Sequence, residues 1–219
     1  MLNMKKALQV ASVASMIDQF NMENIKILQE LGYTVEVAAN FDFGNTSSQN
    51  RVNEFKNELM DKNVKSYNVL FNRNIFSLSN VNAYKNLKEI IEENEYKIIH
   101  CHSPIGGVLT RLAARKARKS GTKVIYTAHG FHFFKGASII NWLIYFPIEW
   151  INSFFTDILI TINKEDYKLA SKIMKSNYVE YVRGIGVDTE KSKNITFNYS
   201  DKRKELGIND KDIILLSVG

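Results

Sequence analysis

The 219-residue sequence contains a single cysteine, Cys101, which excludes an internal disulfide and fits a reducing compartment. It also lacks a run of roughly 18 uncharged apolar residues, the length that a membrane-spanning helix needs. The amino-terminal run ALQVASVAS is not typical of a secretion signal, because it is short, contains Gln9, and is followed by Asp18 and Gln19. We therefore expect a cytoplasmic protein, with peripheral attachment to the cytoplasmic membrane face still open.

Two common glycine-rich phosphate-binding motifs are absent. There is no G-x-x-x-x-G-K-[ST], and the first predicted strand is followed by residues 12–19, SVASMIDQ, instead of G-x-G-x-x-G. Gly184 and Gly186 lack the third glycine and a following helix pattern, which favours a turn or hinge. A P-loop NTPase and an NAD-dependent dehydrogenase are therefore disfavoured.

Strand-like and helix-like segments alternate along the chain. Seven near-continuous apolar or β-branched segments are predicted strands: 6–13, 33–39, 64–71, 96–101, 123–127, 158–162 and 178–182. Four segments with helical spacing lie among them: 21–31, 52–60, 79–94 and 104–119. Repeated β-α-β units of this kind predict an α/β fold, with a parallel sheet covered by helices on both faces.

Ligands of such folds bind at the carboxyl ends of the strands. Four segments of unusual composition fall at those ends: 12–19, 100–104, 129–136 and 183–188. The coincidence predicts that this edge of the sheet is the functional edge.

The last part of the chain differs from the rest. Residues 189–200 are polar and predict a linker, and residues 212–218, DIILLSV, predict a buried strand that ends at Gly219. A strand that stops there looks like the start of a further β-α unit. We therefore expect a first domain over residues 1–188, followed after the linker by the truncated start of a second domain over residues 201–219.

The stretch YTAHGFHFF, residues 126–134, ends the fifth predicted strand with two histidines and three phenylalanines around a glycine. His129 at this position can hydrogen-bond a sugar hydroxyl or a phosphate, or shuttle a proton near neutral pH. Gly130 allows a sharp turn or the close approach of a ligand. A histidine that only bonds loop backbone is the structural alternative, and its place at a strand end favours function.

The segment HCHSP follows the fourth predicted strand. Ser103 is predicted to cap the next helix through its side chain, and Pro104 to begin it. His100 and His102 would share one strand face, but no carboxylate is nearby and Cys101 would point the other way, so no metal is expected. A helix N-terminus beside a histidine suits an anionic ligand better.

Two surface features raise the question of a partner. The net charge is +6, and basic residues cluster on the predicted helix 104–119. This cluster predicts either a solvated helix face or a binding site for anionic lipid or a phosphate-bearing partner. Nucleic acid is not expected, because no recognised binding motif accompanies the charge. The aromatic segment 139–155 predicts either a buried helix pair or a lipid-facing surface. The membrane-facing candidates are Arg111, Arg115, Trp142, Phe146 and Trp150.

Four segments in this order and spacing carry a family resemblance: HCHSPIGGVLTRLAARKAR, VIYTAHGFHFFKG, DILITINKEDYKLA and VRGIGVD. Over about residues 5–219 the chain resembles the amino-terminal domain of retaining GT-B glycosyltransferases of family 4. The closest resemblance is to the branch that makes bacterial capsule, exopolysaccharide and lipid-linked oligosaccharide. This implies two Rossmann-like domains across a cleft, with the acceptor on the first and a nucleotide-sugar, usually UDP-linked, on the second.

The resemblance also implies roles for individual residues. The T-x-H-G match makes His129 the family's active-site histidine, and Gly219 matches the first residue of the turn that opens the donor site. The segment 12–19 matches a loop that closes over donor and acceptor, which is commonly glycine-rich in the family but has no glycine here. The remaining candidates for substrate and acceptor binding are Ser12, Ser15, Asp18, Gln19, His102, Ser103, Gly130, Phe131, His132, Arg183 and Gly184.

The expected function is the acceptor-binding half of a retaining glycosyltransferase that acts on a lipid-linked or polysaccharide acceptor. The nucleotide-sugar is a co-substrate and no further cofactor is expected. The 219-residue chain by itself is expected to be inactive in transfer. Two alternatives stay open, a nucleotide-sugar epimerase of the same architecture and a non-catalytic module that binds a membrane or a partner.

Overall fold

The computed structural model describes residues 5–184, 186, 198–209 and 211–215. The chain divides into two compact units, residues 1–185 and 186–219. The first unit contains a seven-stranded parallel sheet in the order β3-β2-β1-β4-β5-β6-β7. Its strands are β1 Lys5–Val10, β2 Tyr33–Ala39, β3 Lys65–Asn68, β4 Tyr96–His102, β5 Lys123–Ala128, β6 Ile158–Thr161 and β7 Tyr178–Tyr181. The predicted α/β fold is confirmed.

Helices connect the strands and cover both faces of the sheet. They are α1 Ala14–Phe20, α2 Met22–Glu30, α3 Gln49–Asp61, α4 Ser79–Glu93, α5 Pro104–Ala113, α6 Arg115–Lys119, α7 Ile139–Ser153 and α8 Lys164–Ile173. Neighbouring residues of β2 show the two-sided burial, because Ala38 packs in one apolar cluster whereas Val35 and Val37 pack in the other. This is why the strands read as nearly continuous apolar runs.

Two local predictions were wrong. Residues 12–19 are not an open turn, because helix α1 begins at Ala14 and buries Ala14 and Ile17 against the sheet. Without a glycine, this connection has no residue that favours an open phosphate-binding loop. The segment 139–155 is one helix, α7, which continues through Pro147, and not a helix pair.

Two glycines let α5 approach the central strands closely. A Cβ atom on Gly107 would lie 2.4 Å from the ring of Tyr126, and one on Gly106 would lie 2.9 Å from the backbone nitrogen of Ser12. Any side chain at these positions would push the helix away from β1 and β5. The glycines therefore place the start of α5 directly at the carboxyl edge of the sheet.

The second unit contains helix α9, Tyr199–Glu205, whose first turn is capped by the side chain of Asn198. The predicted strand over residues 212–218 is not present at residues 212–215, and its remaining part lies outside the described residues. Most of the predicted linker and Gly219 also lie outside the described residues, so the donor-side expectation for Gly219 stays a prediction.

Candidate functional site

A cavity of about 460 Å³ lies at the carboxyl ends of β1, β4 and β5. Five of the predicted site residues line it: Ser12, Ser103, Gly130, Phe131 and His132. The opposite walls come from α7 and from residues 73–76, which precede α4. The cavity therefore lies at the edge that the sequence predicts to be functional, and its function stays a prediction.

Ser12 and Ser103 join β1 to the start of α5. Their hydroxyl oxygens lie 2.6 Å apart, and the backbone N–H of Ser12 donates to Oγ of Ser103. The backbone N–H of Gly106, in the first turn of α5, donates to Oγ of Ser12 at 2.9 Å. Ser12 thus performs the capping that was predicted for Ser103.

The predicted capping by Ser103 was wrong because its backbone is left-handed, with φ of 64°. Its hydroxyl turns back and donates to the carbonyl oxygen of His102. A non-glycine residue in this conformation stores backbone strain, which often accompanies functional sites. The conformation places the Ser103 side chain at the cavity and beside the histidines of β4.

Three histidines meet behind the cavity. Nδ1 of His102 lies 3.3 Å from Nε2 of His129, and Nε2 of His102 lies 3.2 Å from Oε1 of Gln9. The ring of His100 is tilted by 40° against that of His102 with 4.2 Å between the centroids, and Nε2 of His100 lies 2.8 Å from Oγ1 of Thr127. The sequence did not single out Gln9, although a polar residue in an apolar strand was the available signal.

Burial keeps these imidazoles neutral. It lowers the pKa of His100 to about 4, with a smaller contribution from His129. Burial, followed by the proximity of His100 and His129, also lowers the pKa of His102. Burial alone lowers the pKa of His129. At neutral pH the cluster therefore offers neutral donors and acceptors of hydrogen bonds, and a cationic His129 is disfavoured.

The YTAHGFHFF stretch divides between core and surface. Gly130 has φ of 142°, a conformation that L side chains rarely adopt, and it turns the chain at the strand end. Phe131 and Phe133 are buried and stack on each other, and of the two only Phe131 is among the residues that line the cavity. The backbone N–H of Phe131 donates to Oδ2 of Asp166, a contact across 35 residues that the sequence could not indicate.

The floor of the cavity carries a buried ion pair. Nη2 of Arg111 lies 2.8 Å from Oε2 of Glu149, and the hydroxyl of Tyr126 donates to Oε1 of the same carboxylate at 3.2 Å. The guanidinium also lies over the Tyr126 ring, 3.9 Å from its centroid. Arg111 is only 1% exposed, so its prediction as a membrane-facing residue was wrong. Glu149 lines the cavity.

Several predicted site residues do not line the cavity. Ser15, Asp18 and Gln19 lie on α1 and hold the segment before α3 and its first turn. Oδ1 of Asp18 pairs with Arg51 at 2.6 Å, the Ser15 hydroxyl accepts from Thr46, and Gln19 donates to Thr46 and Ser47. Arg183 and Gly184 follow β7, which is two strands away from β5.

The membrane-facing candidates also divide. Trp142 and Phe146 pack against the buried Phe133, with ring centroids 5.4 Å and 5.5 Å away, so they face the core. Arg115 is exposed and lies over Phe155, and Trp150 is 37% exposed. The solvent face of α7 is nevertheless apolar, and its other exposed members are Ile139, Ile140, Leu143 and Ile151.

The described residues contain neither a candidate membrane span nor a candidate metal site. None of the helices there combines the length and hydrophobicity needed to cross a membrane. Within the same part of the chain, no group of three or more His, Cys, Asp or Glu side chains is arranged to hold a metal ion.

A protein-family model and two curated proteins are similar in sequence to this chain. Residues 9–163 match the family model described as "Glycosyl transferase 4-like". The chain is 40% identical over 214 residues to EpsD of Bacillus subtilis (strain 168), which carries the name of a glycosyltransferase. The aligned region covers 97% of this chain and 52% of EpsD. The chain is also 29% identical over 151 residues to the Escherichia coli UDP-Gal:alpha-D-GlcNAc-diphosphoundecaprenol alpha-1,3-galactosyltransferase. This aligned region covers 67% of the chain and 38% of that enzyme.

Similar solved structures share the fold. The S. aureus MnaA-UDP co-structure has a TM-score of 0.60 at 15% identity and matches 92% of this chain and 52% of that one. The UDP-GlcNAc 2-epimerase from Neisseria meningitidis, bound to UDP-GlcNAc, has a TM-score of 0.59 at 14% identity and matches 94% and 55% of the two chains. The chain spans about half the length of EpsD and less of the galactosyltransferase. Because the family model matches well over half of its residues, the chain belongs to the glycosyl transferase 4-like family.

Proposed function

We propose that this chain is the acceptor-binding half of a glycosyltransferase that moves a sugar from a UDP-sugar to a lipid-linked acceptor, with retention. The observation that carries the proposal is the cavity at the carboxyl ends of β1, β4 and β5, bordered by Gly130 next to His129. In parallel α/β sheets this is where substrates bind. The family match and the name of the E. coli relative support the class of reaction and the kind of acceptor.

The cavity suits an acceptor that is part sugar and part lipid. Its floor presents the Glu149 carboxylate and the Tyr126 hydroxyl, both able to bind sugar hydroxyls. Arg73 lines the cavity and supplies a cation for a diphosphate. Phe76, which is 75% exposed, extends the lining outward with an apolar side chain that suits a lipid.

In the proposed reaction, the bond between the donor's anomeric carbon and the UDP oxygen breaks. An acceptor hydroxyl oxygen bonds to that carbon on the same face, and its proton passes to the leaving diphosphate. No general base from this half is required, so neutral His129 orients a hydroxyl group instead of removing its proton. The donor is held by the second domain that the proposal requires.

The decisive experiment uses the two-domain enzyme that contains this chain. A panel of UDP-galactose, UDP-glucose and UDP-GlcNAc is offered with a short polyprenyl diphosphate carrying N-acetylglucosamine. We expect transfer from one donor, and we expect His129→Ala to lower kcat by about 100- to 1000-fold, the usual effect of losing a polar group at the reacting centre. The free energy of unfolding should change by less than about 1 kcal/mol, since His129 is only partly buried.

Two results would contradict the proposal. Unchanged turnover of His129→Ala would remove the assigned role of this histidine. Conversion of UDP-GlcNAc to its C2 epimer, with no transfer from any donor, would favour the epimerase alternative instead.

We also propose that the protein is cytoplasmic and binds the inner membrane surface through one face of α7. Ile139, Leu143 and Trp150 lie on this face at helical spacing, and Arg115 and Arg118 of α6 contact Phe155 and the carbonyl of Phe154 just after the helix ends. Exposed apolar residues beside basic ones are typical of helices that bind anionic lipid.

Sedimentation with vesicles tests this face. Ile139→Glu/Leu143→Glu should reduce binding of the chain to phosphatidylglycerol vesicles by at least tenfold, since burying two charges in the interface is unfavourable. Leu31→Glu is the matched control, because Leu31 is 68% exposed at the end of α2. Equal binding of the double variant and the control would contradict the proposal.

A further inference from the structure

Gln9 is a fully buried polar side chain in an otherwise apolar strand. Its strand neighbours Leu8 and Val10 pack in the apolar core, and its own relative exposure is 0%. Its Nε2 atom has no hydrogen-bond partner among the described residues. Burying a carboxamide with unpaired donors is unfavourable, so such a group calls for a compensating role.

The role is indicated by what its oxygen contacts. Oε1 of Gln9 lies 3.2 Å from Nε2 of His102, and Nδ1 of His102 lies 3.3 Å from Nε2 of His129. Both ring nitrogens of His102 are therefore engaged. A neutral imidazole has one N–H and one lone pair, so the bond made by one nitrogen decides what the other nitrogen can do.

We propose that Gln9 is a positioning residue that sets the tautomer of His129 through His102. A carbonyl oxygen only accepts hydrogen bonds, so His102 holds its proton on Nε2, facing Gln9. Nδ1 of His102 then accepts from the N–H at Nε2 of His129. The remaining nitrogen of His129, Nδ1, is left with a lone pair and accepts a hydrogen bond from a substrate hydroxyl. Only this last step rests on the proposed function.

The surroundings support a fixed tautomer chain. All three histidines have a lowered pKa, chiefly because of burial, so each ring is neutral at pH 7 and has a defined tautomer. His100 is not part of this series of hydrogen bonds, because its Nε2 is bonded to Thr127 and its ring lies tilted against that of His102. His100 and Thr127 therefore offer a matched comparison within the same cluster.

The test is the ¹⁵N spectrum of the histidine rings in the full 219-residue chain at pH 7.5, where protonated and unprotonated ring nitrogens have well-separated shifts. In the wild type we expect His129 to be protonated mainly at Nε2. In Gln9→Met the acceptor is gone, and an N–H at Nε2 of His102 would be buried without a partner. The His102 proton should move to Nδ1, and the majority tautomer of His129 should invert to Nδ1–H.

The matched control is Thr127→Val, which removes the partner of His100 and should leave the His129 tautomer unchanged. The inference is overturned if wild-type His129 is protonated mainly at Nδ1, or if Gln9→Met leaves its tautomer as in the wild type. Gln9→Leu serves as a second variant, and the wild-type spectrum alone is decisive if neither variant folds.

The two proposals fail separately. If the tautomer inverts in Gln9→Met but His129→Ala leaves turnover of the two-domain enzyme unchanged, the positioning role of Gln9 is supported and the assigned role of His129 in transfer is contradicted. If His129→Ala abolishes turnover but the tautomer of His129 is the same in Gln9→Met as in the wild type, the proposed function is supported and the positioning role of Gln9 is contradicted.

Discussion

Two buried polar clusters occupy different parts of the central sheet, and they are built in opposite ways. In the cluster around Glu36 of β2, the carboxylate accepts from the hydroxyls of Tyr67 and Tyr96 and pairs with Lys6 at 3.1 Å. Near the carboxyl ends, the histidine cluster has no opposite charge among the residues that the structure describes, and Nε2 of Gln9 has no hydrogen-bond partner among them. The first cluster satisfies its buried charge, whereas the second keeps unused hydrogen-bonding capacity.

The pKa shifts express the same difference. Burial raises the pKa of Glu36, but hydrogen bonds from Tyr96, Lys6 and Tyr67 outweigh it, and the net pKa is lowered. For His100 nothing opposes burial, and the charged form is lost. Partners that offset burial make a buried charged cluster stabilising, whereas titratable groups that are shifted by burial without such partners are candidates for a binding site.

The largest effect on stability should come from a substitution in the Glu36 cluster. Glu36→Leu leaves the hydroxyls of Tyr67 and Tyr96 without their acceptor, whereas Lys6 keeps its bond to Oδ1 of Asn94. It should lower the free energy of unfolding by about 2 to 4 kcal/mol, at about 1 to 3 for the buried Tyr96 hydroxyl and about 1 for the half-buried Tyr67 hydroxyl. Urea unfolding at pH 7.5 measures this. The tautomer of His129, read from the ¹⁵N spectrum, should not change.

Glu36→Gln is the matched control, because both tyrosine hydroxyls donate to Oε2 and a carboxamide oxygen in that place still accepts from both, so it should cost less than Glu36→Leu. A loss below about 0.5 kcal/mol in Glu36→Leu, which is the range of ordinary surface substitutions, would show that the cluster does not hold the sheet together. A changed His129 tautomer would show that the two clusters are coupled.

The sequence predicted the fold, and it pointed to the carboxyl edge of the sheet as a candidate site, because both inferences depend on local pattern. Apolar strand runs and helical spacing are properties of neighbouring residues, and the site follows from the rule that strand ends in parallel sheets carry ligands. His129 and Gly130 could be singled out on that basis. The same argument does not tell which side chains at the edge reach the cavity, and Asp18 and Gln19 do not line it.

What escaped prediction depends on residues far apart in the chain. Ser12 caps α5 across 94 residues, and Arg111 is neutralised by Glu149 across 38 residues. A basic residue on a helix otherwise resembles a solvated one, so Arg111 was placed on the surface. Such pairs are decided by tertiary packing, which overrides local propensity and charge pattern.

A smaller effect should come from acid and should act on the histidine cluster first. Because burial lowers the pKa of His100 from its usual 6.5 to about 4, the unfolded chain binds a proton between these pH values that the folded chain does not bind. Stability is therefore fully present above pH 6.5 and is lost as the pH falls towards 4. The expected loss is on the order of 1 kcal/mol per pH unit, the limit for one such group being about 1.4.

Urea unfolding at pH 7, 6 and 5 measures this slope, and His100→Gln should reduce it because one of the groups that resist protonation is removed. Glu36 contributes little between pH 7 and 5, since its folded pKa is lowered from the ordinary 4.5 of the unfolded chain, and the stability that it provides is lost only below about pH 5. Glu36→Gln should therefore keep the wild-type slope although it lowers stability at every pH. A slope that disappears in Glu36→Gln and persists in His100→Gln would reverse the assignment of the two clusters, and would make the carboxylate the acid-sensitive group.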